Sequence, residues 1–172
     1  MRELILKPSG SGTGLPSEMP WWIRPLVASL LPGALYWARR EERRIVREGR
    51  PLTEQERRDA RGVGVRVPEW VRVLPVPRVP LPGGMLGQAW VTWASGPGVV
   101  AGMALGYGIY VDVSAVGSRH LLAHELAHVA QYERLGGVKP FMRRYLEECL
   151  WAGYHAADLE LEAVELATRV CR

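Results

Sequence analysis

Three of the four histidines, His120, His124 and His128, fall in the stretch HLLAHELAHVAQYERLGG at residues 120–137, and the last two bracket a glutamate as His-Glu-x-x-His. Residues four apart on a helix share a face. His124 and His128 can therefore both aim an imidazole nitrogen at one zinc ion about 2 Å from each. Glu125, one step along, is angled beside such an ion, where a carboxylate can take a proton from a water whose pKa the metal has lowered. That spacing is the chemistry of a metal-assisted hydrolase.

The competing reading is an amphipathic helix whose histidines and glutamate touch only solvent. The flanks weigh against it: Leu121, Leu122, Leu126 and Val129 with Ala123, Ala127 and Ala130 make this helix apolar nearly all round, the mark of a buried one. Buried histidines and a buried glutamate need partners, and a metal would supply them. His120 sits in the first turn and reads as a polar helix-start residue. A catalytic zinc needs a third protein ligand. The completion by a glycine and a third histidine would place them at 131 and 134, where Gln131 and Arg134 stand, and Cys149 is isolated. The stretch DLELEAVELATR offers glutamates on a helix instead. Just before it, Tyr154 and His155 are candidate donors to the oxyanion of a tetrahedral intermediate, against packing for the one and solvation for the other.

With those residues in view the chain resembles the gluzincins, whose third ligand is the first glutamate of a helical Glu-x-x-Ala pattern; Glu160-Leu161-Glu162-Ala163 matches it. The resemblance implies Glu160 as third ligand, with Glu162 taking its place if the alignment slips by one frame. Val164 stands where many members carry an aspartate, so the group that orients the second histidine's other nitrogen is unassigned. Together with GMALGYGIYVD before it and FMRRYLEECLWAGY and LELEA after it, HELAHVAQYERLGG is similar to small bacterial gluzincin-type domains, the minigluzincins among them, over residues 65–170. What this implies is one Zn2+ per chain, Glu125 as general base, and a peptide or protein substrate held by strand addition. The binding strand would be an antiparallel edge strand above the zinc, formed by Gly106, Tyr107, Gly108, Ile109 and Tyr110 and running on to Asp112.

Several elements must position these groups. Ser118 is a natural N-cap and Gly136-Gly137 a natural end for the His-Glu-x-x-His helix. Pro140 favours the start of a second helix that ends near Gly153, and Asp158 suits the N-cap of a third. Upstream, PGALYWARREERRIVREG predicts an amphipathic helix from Pro32 to Gly49, with Pro25 and Pro32 breaking the more apolar stretch before it. Thr53 to Glu56, TEQE, has capping-box spacing and starts a short helix towards Arg61. EWVRVLPV and the residues around Tyr107 to Val113 read as strands, PVPRVPLPGG as an extended surface loop, and GQAWVTWASG as ambiguous. The expected class is α+β: a small mixed sheet packed on the active-site helix with further C-terminal helices, a minimal zincin-like fold with a helical N-terminal extension. Its divisions are a flexible arm at 1–20, the extension at 21–62 and the metallopeptidase domain at 63–172.

Charge narrows the function classes. Of 22 basic and 18 acidic residues in 172, residues 1–112 carry 15 and 10, and residues 113–172 carry 7 and 8. A net +4 does not by itself imply nucleic acid, and the nine arginines between 39 and 61 alternate with six acids as on a solvated helix face. No nucleic-acid partner is expected. No signal-like apolar run opens the chain, so a cytoplasmic location is expected. Residues 21–38 suggest contact with a membrane surface, while Arg24 and the two prolines suit them poorly to spanning one. Cys149 and Cys171 are too few for a disulfide framework. Two functions follow as expectations: a zinc metalloendopeptidase, or a zinc-containing binding module without turnover that acts through its N-terminal helices.

Overall fold

The computed structural model describes residues 19–83 and 100–172. Most of the arm expected at 1–20 and all of GQAWVTWASG lie outside the described residues. In chain order come helix α1 (Ile23–Glu48), strand β1 (Arg50–Pro51), helix α2 (Glu54–Val63), strands β2 (Arg72–Val76), β3 (Gly102–Leu105) and β4 (Gly108–Asp112), and helices α3 (Arg119–Leu135), α4 (Val138–Ala152) and α5 (Asp158–Cys171). The α+β class and the small mixed sheet are as expected.

The sheet runs β1-β2-β4-β3. β2 and β4 are parallel, with Arg72 opposite Gly108 and Val76 opposite Asp112, whereas β1 on β2 and β3 on β4 are antiparallel. All five residues of β4 are buried, and its alternation serves two cores. Ile109 and Val111 join Leu52, Ala60, Val63, Val73, Leu126 and Ala163 on the face covered by α2, α3 and α5. Tyr110 turns to the other face and packs with Ala38, Ile45 and Leu105 under α1. β4 pairs with β2 on one side and with β3 on the other. The edge strand expected at Gly106–Asp112 is therefore an inner strand; among the described residues the outer strands are β1 and β3. In a single sequence an inner and an edge strand of this length share the same valine- and tyrosine-rich composition, and only the pairing separates them.

Local chemistry sets most element ends. Thr53 Oγ1 accepts from the Glu56 N–H at 3.3 Å and Glu56 returns a bond to the Thr53 N–H at 2.7 Å, which closes the capping box of α2. Ser118 Oγ accepts from the Leu121 N–H at 3.3 Å to start α3, and Gly136 at φ 87° ends it in the left-handed conformation that favours glycine. Three starts differ from expectation. α1 begins at Ile23 and runs through Pro32; Pro25 falls in the first turn, where its missing N–H had no helical partner, and tertiary packing of Val27, Leu31 and Ala38 outweighs the one bond lost at Pro32. α4 begins at Val138, two residues before Pro140, and α5 is capped from outside, Leu159 N–H donating to Glu148 of α4 at 2.9 Å. The proline loop after β2 hides Val79 and Leu81, which are buried.

Residues 21–62 share both cores with the rest of the chain. α1 is pinned to the sheet by two carboxylates: buried Tyr110 donates its hydroxyl to Glu41 at 2.8 Å, and the Tyr107 N–H donates to Glu42 at 3.0 Å. Glu42 reaches the β3–β4 turn because Gly106, at φ 60°, has no side chain; any Cβ there would collide with the Glu42 carboxylate. Among the described residues no helix is long and apolar enough to cross a membrane.

Candidate metal centre

α3 lies against α5, and the contact brings His124, His128 and Glu160 together. His124 Nε2 is 3.1 Å from His128 Nε2, 3.2 Å from one Glu160 oxygen, and His128 Nε2 is 3.4 Å from the other. A tetrahedral ion with bonds of about 2.0–2.1 Å has ligand atoms ~3.3 Å apart. With one oxygen taken from Glu160, the three donor atoms all lie within 4.8 Å of one another, so the donor set can hold a metal ion. His128 and Glu160 are buried, and His124 is the most exposed of the three at 15%.

The orientation of His128 follows from its neighbours. Gln131 donates its side-chain N–H groups to the Leu159 carbonyl at 2.8 Å and to Glu162 at 3.0 Å, both of which can only accept. Its oxygen must then face His128 Nδ1, which lies 2.8 Å away and is the N–H partner. In the neutral ring that leaves the lone pair on Nε2, towards His124 and Glu160, as metal ligation requires. Glu162 is held in turn by two bonds from Arg134, at 2.5 and 2.7 Å. The positioning role left open by Val164 thus falls to Gln131, and Glu162, the alternative ligand, serves this chain of bonds away from the three donor atoms.

Glu160 has a further partner, Tyr145, whose hydroxyl donates to it at 2.7 Å. Tyr145 stacks on Phe141 at 5.7 Å and meets the His128 ring edge-on at 6.0 Å. Burial works against the Glu160 carboxylate, but bonds from His124, His128 and Tyr145 hold it well below the usual carboxylate range. The same carboxylate, with burial, lifts the Tyr145 phenol. For His128 burial disfavours the cation, yet Glu160 and Glu125 outweigh it and raise its affinity for a proton. Cys149 is pushed up to about 12 by burial and by Glu160, and it is not among the three clustered donors.

Glu125 is buried and lies under β3. Burial pushes its carboxyl above the usual range, and the Ala104 N–H donates to it. The pairing of β3 explains why that N–H is available. Asp112 donates to the Ala101 carbonyl at 2.8 Å, so residues 101 and 112 form a hydrogen-bonded pair, and alternation makes 103 with 110 and 105 with 108 the next ones. Gly102 and Ala104 therefore turn their backbone groups outward. A Cβ on Gly102 would stand 2.6 Å from a Glu125 oxygen, so only glycine lets the strand pass this close to the carboxylate.

Other expected residues lie further out. His120 meets Thr168 Oγ1 at 3.4 Å on α5 and takes no part in the cluster. Tyr154 lies against Glu160, and burial together with Glu160 and Glu125 raises its phenol far above the ordinary value. His155 packs edge-on to Tyr154 at 5.2 Å. Gly106 and Tyr107 form the hairpin turn, and Gly108, Ile109 and Tyr110 are in the inner strand. Tyr145 and Gly102 lie in the stretches that carry the resemblance, but no role was assigned to either; Tyr145 falls four residues after Phe141, on one helix face.

The chain matches no protein-family model, no curated protein and no solved structure.

Proposed function

We propose that this protein is a zinc-dependent peptidase in which His124, His128 and Glu160 hold the ion and Glu125 is the general base. The observation that carries the reading is the joint placement of three convergent donor atoms and a separate buried carboxylate under β3, an outer strand among the described residues. The resemblance of the same residues to the gluzincin pattern supports it. A bound zinc supplies a Lewis acid and brings the pKa of a water toward neutrality.

The chain's own groups do the rest. Glu125, with its raised proton affinity, accepts the proton of the attacking water and passes it to the leaving amine nitrogen. An extended peptide pairs with β3 through the outward backbone of Gly102 and the carbonyl of Ala104, in place of the Gly106–Tyr110 strand. Tyr154, which lies against Glu160, is the candidate donor to a developing oxyanion. Gln131 holds His128 in the tautomer that ligation needs.

Elemental mass spectrometry of the purified protein, followed by a peptide-library cleavage assay, tests this. Wild type should carry about one zinc per chain, Glu160→Ala should lose it, and Glu125→Gln should keep it while cleaving nothing. A folded wild type that takes up no added zinc, or a Glu125→Gln protein that cleaves as wild type does, overturns the proposal.

A further inference from the structure

The first half of α1 carries an apolar face that the described residues leave open. Ile23, Val27 and Leu31 are buried against the body of the protein, while Trp22, Leu26 and Leu30, one turn apart on the adjoining flank, are 45%, 37% and 51% exposed, and Tyr36 is 70% exposed. Steps of three and four residues keep one helix face in view. Continued along α1, they pass from Trp22, Leu26, Leu30 and Tyr36 to Arg40, Arg43, Arg44 and Arg47, so one exposed stripe is apolar in its first half and basic in its second.

The acids of α1 sharpen that stripe. Glu41 and Glu42 turn inward to Tyr110 and the Tyr107 N–H, and Glu48, at the far end, pairs with Arg44 and Arg47. Arg40 and Arg43 form no salt bridge with a described residue. The charge left on the surface is cationic, next to apolar side chains that begin with a tryptophan.

We propose that this face of α1 lies on an anionic lipid surface. Trp22, Leu26, Leu30 and Tyr36 enter the boundary between headgroups and acyl chains, and Arg40 and Arg43 meet the phosphates. This arrangement is that of an interfacial helix, with aromatic anchors on the apolar side and arginines beside it, and α1 is not apolar enough to span. The inward rotation of both mid-helix acids favours an anionic surface over an uncharged one. The inference stands independently of the peptidase reading.

The test is co-sedimentation of the full chain with vesicles of phosphatidylcholine alone and of an equal mixture of phosphatidylcholine and phosphatidylglycerol. Binding should be confined to the mixed vesicles and weaken with added salt. It should fall on the order of a hundredfold in a Leu26→Glu, Leu30→Glu protein, given the burial each leucine contributes, and by a smaller factor in an Arg40→Glu, Arg43→Glu protein. These positions are exposed, so circular dichroism and thermal unfolding should match wild type and exclude misfolding as the cause. Absence of binding to mixed vesicles overturns the proposal, as does binding that both variants retain. Self-association of wild type that the leucine substitutions abolish, without vesicle binding, would assign the face to a second copy and overturn it as well.

Discussion

α3 and the first half of α1 are comparably apolar, yet one is buried and the other is not. α3 is enclosed by β3, α2, α4 and α5, and its polar residues find partners inside: His128 on Gln131, Glu125 on Ala104, and Glu133 accepting from the backbone N–H groups of Arg66 and Val67 at 2.6 and 3.2 Å. α1 is covered on one side only, with Glu41 and Glu42 facing in and most of its arginines, with Glu48 beside them, facing out. The comparison teaches that apolar content alone does not place a helix. What separates the two is where their charges end: α3 has a built partner for each buried one, and such partners are what makes burial of a charge tolerable.

Substitutions can break that contrast, and the largest effect should come from the buried partner itself. Glu160→Ala leaves two histidines facing an emptied position, and zinc content should fall from about one per chain to near zero by elemental analysis. Next, Leu126→Ala in α3 should cost about 2–5 kcal/mol in urea unfolding, because Leu126 is fully buried between helix and sheet. The matched change in α1, Leu30→Ala, should stay within about 0.5 kcal/mol. Similar costs at the two positions would mean that α1 is covered after all.

A third change sharpens the account of α3 without emptying its core. Gln131→Leu fits the volume but removes the acceptor for His128 Nδ1, and chelator competition should show zinc affinity reduced about 10- to 100-fold. The smallest effect is one of pH. Arg119 at the start of α3 bonds Asp59 of α2 through two contacts of 2.9 Å, and that bond, against some burial, lowers the Asp59 pKa below its ordinary 3.8. A lowered folded pKa gives stability that is present above the unfolded value and is lost as pH falls through the folded one. Arg119 is half exposed, so about 1 kcal/mol or less is at stake. Arg119→Ala should remove that amount at neutral pH and flatten the fall in stability below about pH 4, as followed by urea titrations at several pH values.

The parts of this molecule that were legible in its sequence are those decided within a few residues. Thr53 with Glu56, Ser118 with Leu121, and Gly136 each close a local ring of bonds, so their types and spacing carry the information. The pairing of His124 with His128 is local in the same sense, whereas Glu160 was implied by the resemblance to the gluzincins. What stayed hidden depends on distant groups. Pro32 reads as a break until the packing of α1 on the sheet is known. β4 reads as an edge until β3 is seen beside it. Gln131 acts only through Leu159 and Glu162, some thirty residues on, and Tyr145 only because α4 folds back over Glu160.

The chain of bonds from Arg134 through Glu162 and Gln131 to His128 has a consequence for how this protein can vary over evolutionary time. Glutamate at 131 would set two carboxylates against each other, asparagine would fall short of Leu159, and loss of Arg134 would leave Glu162 with only the Gln131 bond and the Arg144 charge. Positions 131, 134 and 162 therefore form one heritable unit, expected to change jointly or not at all, although Arg134 taken alone is an ordinary half-exposed arginine.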